Sequence, residues 1–187
     1  YPLTGAREVA APLIDTCATT PDMARSRSIA SCSLDAWVET ENPEAAAIRS
    51  EPDIGAAPIA DMPPPYPGYD GIHFPTVRIT GSDHGWFRIS EVVTNLYAEQ
   101  DPVIAFAGEG WVPGEVLRLW VESPALLTGP SHDAPAAASL ADGDSTFVVD
   151  QLHTCTGPWV EVSGSIAGQQ LRGWSANTCE SQITTCP

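Results

Sequence analysis

The chain has 187 residues, 43% of them hydrophobic and 17% charged, with 24 acidic against 8 basic residues and a net charge of −16. This is the composition of a globular protein rather than a disordered one. So acidic a surface repels phosphate backbones and anionic lipid, which argues against nucleic acid and membrane surfaces as partners and leaves a basic protein or a cation as what the field would attract. Eighteen prolines and fifteen glycines break the chain into short pieces and point to an all-β fold with many turns.

Residues 1–32 read as an irregular N-terminal arm, with "MARSRSIA" sustaining no period. The chain opens on Tyr1, so a processed product is expected, its signal peptide removed. No apolar run approaches the ~20 residues that span a bilayer, and membrane insertion is not expected.

A first module is expected over 33–117. "AWVETEN" alternates as a short strand, and "AAIRSEPDIGAAPIADMPPP" is extended and broken by Pro52, Pro58 and Pro63. "PTVRITGSDHGWFRISEVV" reads as a hairpin around a Gly-Ser-Asp-His-Gly turn. Period-2 alternation puts Phe87 and Ile89 on one face and Trp86 and Arg88 on the other. The insert "PPPYPGYDGIHFP" at 63–75 carries aromatic side chains on a proline-stiffened loop. It has two readings: a cover over the barrel edge or the seam, or a recognition surface of Tyr66, Tyr69, His73 and Phe74.

A second module is expected over 118–187. "HGWFRI" is matched by "GPWVEV", "EGWV" at 109–112 by "RGWS" at 172–175, and "AIRSEPD" at 47–53 by "LLTGPS" at 126–131. Val160 and Val162 then face inward, while Trp159 and Glu161 share a partly wet face. Trp86 and Trp159 are either packing cover or ligand shelves. The uninterrupted "VLRLWVES" run predicts a packed seam between the modules rather than a linker.

No catalytic motif is present. His73, His84, His132 and His153 fall in expected loops, and there is no G-x-S-x-G, H-E-x-x-H or P-loop. "ADGDST" at 141–146 has too few ligands for a calcium loop, and Asp142, Gly143 and Asp144 read as a tight turn. No metal or cofactor is expected.

Five cysteines, Cys17, Cys32, Cys155, Cys179 and Cys186, show no zinc spacing. Four lie in polar terminal segments, which favours disulfides and a periplasmic or secreted location. Centring the "SGSIAGQQ" turn near Ala167 sets Val160 opposite Trp174 and Cys155 opposite Cys179, so a Cys155–Cys179 bridge is expected. Cys17–Cys32 is a second pair, leaving Cys186 free or linked to another molecule. A one-residue slip would turn Cys155 away, and Cys179–Cys186 is also short enough to form.

The order of the proline loop, the Gly-Trp strand and the Gly-Trp-Val strand resembles the bacterial SH3-like domain family. "LLTGPSHDAPAAASLADGD", "GPWVEV" and "LRGWSAN" carry the resemblance, as do "AIRSEPDIGAAPIADM", "HGWFRI" and "EGWVPGEVL", where Glu51 stands in place of the usual glycine. The resemblance implies two tandem small, partly open barrels of about five strands over roughly 33–187. It also implies a non-catalytic binding protein whose ligand is a peptide, a cell-wall fragment or a protein. An acidic accessory subunit docking a basic partner is the alternative, with a cryptic hydrolase third.

Overall fold

The computed structural model describes residues 29–140, 146–166 and 168–183. The arm up to Ser28, the turn expected at Asp142–Asp144, Cys17 and Cys186 lie outside the described residues. Those that are described form an all-β protein, with no α-helix among them.

The strands of the first half are β1 (Ala30–Val38), β2 (Ile48–Arg49), β3 (Pro58–Ala60), β4 (Tyr66–Pro67), β5 (Ile72–His73), β6 (Thr76–Asp83), β7 (Trp86–Thr94) and β8 (Val103–Pro113). A 3-10 turn at Gly114–Val116 leads into β9 (Leu117–Arg118). The second half contains β10 (Trp120–Glu122), β11 (Ala125–Leu127), β12 (Ala136–Ser139), β13 (Thr146–Val148), β14 (Gln151–Thr156), β15 (Trp159–Ile166), β16 (Gln169–Ser175) and β17 (Thr178–Cys179).

The first half has a seven-stranded sheet in the order β3-β2-β8-β7-β6-β1-β9 and a two-stranded sheet of β4 and β5. The second has the sheets β12-β11-β16-β15-β14 and β13-β10-β17. Because β13 and β14 follow each other in the chain, the second half repeats the order of the first, with the counterpart of β6 broken at Val149 and Asp150. Neither half closes into a barrel: β3 and β9 are opposite edges of one curled sheet, and β12 and β17 edge the two sheets of the second half.

The repeat holds residue by residue. Phe87 faces Val112, Arg88 faces Trp111 and Ile89 faces Gly110. Val160 faces Ser175, Glu161 faces Trp174 and Val162 faces Gly173. Arg49 pairs with Trp111 as Leu127 pairs with Trp174. Gly110 and Gly173 are equivalent, and each allows Ile48 or Leu126 to cross its strand closely. A Cβ on Gly110 would lie 2.3 Å from Ile48 Cγ2, and one on Gly173 would lie 2.8 Å from Leu126 Cβ.

Alternation decides burial. Phe87, Ile89, Val160 and Val162 are fully buried, while Trp86, Arg88, Trp159 and Glu161 remain half-buried on the outer face. Each buried side chain of this size contributes roughly 1.5–3 kcal/mol by leaving water. One apolar cluster runs through both halves, joining Val77, Phe87 and Val112 to Leu119, Leu152 and Val160.

His73 and His153 lie on β5 and β14 rather than in the expected loops, and three further sequence expectations change. The hairpin turn of the first half is His84-Gly85 alone, both with positive φ (46° and 83°), and Gly81–Asp83 belong to β6. This is the two-residue connection that matches strand twist. Secondly, Ala30–Cys32 belong to β1 rather than to an irregular arm, because Ala30 and Ser31 pair with Ser82 and Gly81.

The third change concerns the cysteines. Cys155 bonds Cys32, with Cα atoms 5.8 Å apart. The expected Cys155–Cys179 and Cys17–Cys32 bridges are both ruled out by that bond. In the second half Ile166 faces Gln169 and Val160 faces Ser175, one residue off the expected register. Moreover, Cys155 is not an extension of β15 but lies on β14, where it faces Val160. Cys179 pairs with Trp120 on the other sheet and is itself disulfide-bonded.

Candidate ligand-binding site

The six residues singled out in the sequence do not gather at one place. Tyr66 and His73 face each other across the β4–β5 hairpin and are 6% and 3% exposed. The His73 ring lies 5.1 Å from that of Tyr97, centre to centre, and its Nε2 is 2.7 Å from Asp70 Oδ1. Burial pushes the Tyr66 phenol up, partly offset by the nearby backbone of Tyr97 and Leu96. The Tyr66 hydroxyl has no partner in hydrogen-bonding geometry among the described residues.

Phe74 is clamped through its backbone. Its N–H donates to Gln182 Oε1 at 2.7 Å, and Gln182 Nε2 donates to its carbonyl at 2.9 Å. Only Tyr69 is open, at 67% exposure. The proline-rich insert is thus a small hairpin laid across the seam, and Tyr66, His73 and Phe74 are its anchors. It presents no shared aromatic surface.

Trp159 is placed differently. It opens β15 after the Gly157-Pro158 turn and stands on the outer face, two residues from Glu161. Since Glu161 faces Trp174 on β16 and Trp174 faces Leu127 on β11, all four point to the same side of the sheet. The loop between β11 and β12 folds over this side. It is held by Thr128 N–H to the Pro135 carbonyl (2.9 Å) and Ala134 N–H to the Ser131 carbonyl (3.1 Å). Its tip carries His132, whose ring meets Trp159 edge-on, 4.8 Å between centres at 62°.

Between them lies a cavity of about 200 Å³, walled by Trp159, Trp174, His132, Leu127, Ser175 and Asn177. No carboxylate or guanidinium lines it, although the protein carries −16 overall. Its hydroxyls are already engaged: Ser123 donates to the Ala125 carbonyl (2.8 Å) and Ser175 to the Asn177 carbonyl (3.4 Å), and the Asn177 amide donates to the Glu122 carbonyl. What remains is aromatic surface. Such a site holds a neutral, apolar or ring-bearing group by stacking, at about 0.5–1.5 kcal/mol per aromatic contact beyond simple burial.

Comparison with protein-family models, with curated proteins and with solved structures gave no match.

Beside the two tryptophans this face carries an ion pair. Arg172 meets Glu161 through two bonds, 2.9 and 3.3 Å, and the Glu161 carboxylate raises the guanidinium pKa. Close by, His153 Nε2 lies 2.8 Å from Ser163 Oγ. Burial, and then the Arg172 charge, lower the His153 pKa, with Glu161 opposing. Among the described residues no group of three His, Cys, Asp or Glu side chains is placed to hold a metal.

Trp86 occupies the position of Trp159 in the first half, but its surroundings differ. Arg49 stands where Leu127 stands, and the β2–β3 loop carries no histidine to match His132. Sequence reasoning missed His132 and Trp174 as partners of Trp159. For Trp174 the signal was present, since the Gly-Trp pair of "LRGWSANT" sits on the strand next to "WVEV". Nothing local marked His132, because a β11–β12 loop carries it there.

Proposed function

We propose that this is an extracytoplasmic, non-catalytic binding protein built from two tandem SH3-like modules, with its ligand site at Trp159, Trp174 and His132. The aromatic cavity under the β11–β12 loop carries this reading. An SH3-like fold is supported by the strand order that the two halves share and by their curled, open sheets. A buried disulfide is compatible with an oxidising compartment. The ligand classes that fit a neutral aromatic site are an extended peptide, a cell-wall fragment or a loop of another protein.

Pull-down on purified peptidoglycan at low and high salt tests it. Stacking contacts predict retention at both salts and its loss in Trp159→Ala and Trp174→Ala. The second reading, an acidic subunit docking a basic partner, rests on the charge of −16. It predicts instead capture by a polylysine column that salt abolishes and the tryptophan variants leave unchanged. Failure to bind peptidoglycan at any salt removes the wall ligand.

A further inference from the structure

We propose that the first module holds a second, chemically different site, built on Arg49, for a short dipolar peptide with a free carboxylate and a free amine. The cavity there has a volume of about 340 Å³, and its lining includes Arg49, Glu44, Asp61, Pro43, Pro58 and Met62. That is within the range of small-ligand sites, about 300–1,000 Å³.

Arg49 is one of two described arginines that meet no carboxylate, the other being Arg118, whose Nη1 donates to the Glu115 and Leu117 carbonyls. All eight basic side chains of this protein are arginines, set against 24 carboxylates. Arg78, Arg88 and Arg172 each meet one of those carboxylates. Arg49 is half-buried and meets none within ion-pair distance among the described residues. Its Nη1 donates to the Ala56 carbonyl at 2.8 Å, and its Nε is enclosed without a partner. β2 holds its backbone between Trp111 and Pro58. The repeat gives the contrast: the equivalent Leu127 makes an apolar wall in the other cavity. A guanidinium at this position, short of hydrogen bonds and counter-ion, fits a ligand carboxylate.

The ligand's other end follows from the rim. Glu44 and Asp61 line the same cavity and would repel a simple anion. They suit an ammonium group on the same molecule. The Glu44 end is fixed in place, with Glu44 N–H donating to Asn42 Oδ1 at 3.1 Å and Ala47 N–H to the Glu44 carbonyl at 3.4 Å. Pro43, Pro58 and Met62 supply an apolar wall for a side chain between the charged ends.

The probe is the dipeptide alanyl-leucine, titrated into the whole chain at low salt and followed by amide NMR shifts. Saturable binding is expected below about 10 mM, weakened about tenfold or more by N-acetylation, by C-terminal amidation and by Arg49→Met. Glu44→Gln with Asp61→Asn, both on the exposed rim, is expected to weaken the free dipeptide and not its N-acetyl form. Trp159→Ala leaves this binding unchanged, which separates it from the site proposed above. The proposal is overturned if the dipeptide shows no saturable shift, if the amidated peptide binds as tightly, or if the rim variant binds the free dipeptide as the wild type does.

Discussion

Ser82 and Cys155 hold the same position in the two halves, and they touch. Ser82 faces Phe87 as Cys155 faces Val160, and Ser82 Oγ accepts the Cys155 N–H at 2.9 Å. Ser82 Oγ also lies 3.0 Å from Thr154 Oγ1. The repeats therefore meet strand against strand at equivalent residues. Cys32 and Gly157 extend the contact, with Gly157 N–H donating to the Ser31 carbonyl at 2.8 Å.

The Cys32–Cys155 bond ties this seam across a separation of 123 residues. For so long a loop, chain entropy assigns it roughly 4–5 kcal/mol. The Cys32→Ser, Cys155→Ser double variant is expected to melt roughly 10 °C or more below the wild type. Differential scanning calorimetry checks the shift, and non-reducing peptide mapping checks the pairing. A Cys155–Cys179 peptide would contradict it.

The passage between the halves is buried. Leu117, Leu119 and Val121 are fully buried, and Gly114 lets the Leu152 carbonyl come so near that a Cβ would lie 2.0 Å from its oxygen. Limited proteolysis is expected to spare 116–123 in the native chain. Gly114→Ala must push the halves apart, at about 3 kcal/mol or more, and it should open that segment to cleavage.

Gly110→Ala and Gly173→Ala are expected to lower stability by about 1–3 kcal/mol each, through overpacking against Ile48 and Leu126. Urea unfolding of both variants measures this. A neutral result at either glycine would show that its half accommodates a methyl group where the register leaves no room.

His153 makes stability depend on pH. Its folded pKa is depressed, chiefly by burial, so the unfolded chain takes up the proton first on acidification. The neutral form favours folding, and stability falls as pH drops from about 6.5, the unfolded value, through the lower folded one. His153→Gln removes this dependence. Melting temperatures from pH 8 to pH 5 are expected to converge on acidification, the wild type losing more than the variant.

Strand identity, facing and the internal repeat were legible in the sequence because the side-chain period of a strand is local. Alternation along "WFRI" and "WVEV" is enough to send Phe87, Ile89, Val160 and Val162 inward, whatever the rest of the chain does. The Gly-Trp pairs likewise marked Trp111 and Trp174, each of which pairs with the charged residue of the neighbouring strand. Cysteine pairing was not legible. It depends on where a turn centres to within one residue, and on β14 packing against β1, whose Cys32 is more than a hundred positions away in sequence. Tyr66, Tyr69, His73 and Phe74 fall within nine positions of the sequence and are aromatic, yet Tyr97 and Gln182 decide that three of them serve as anchors. His132 reaches Trp159 only because the β11–β12 loop folds across the sheet. Those placements belong to the tertiary structure, because they are set by contacts between distant segments and not by the pleat of any one strand.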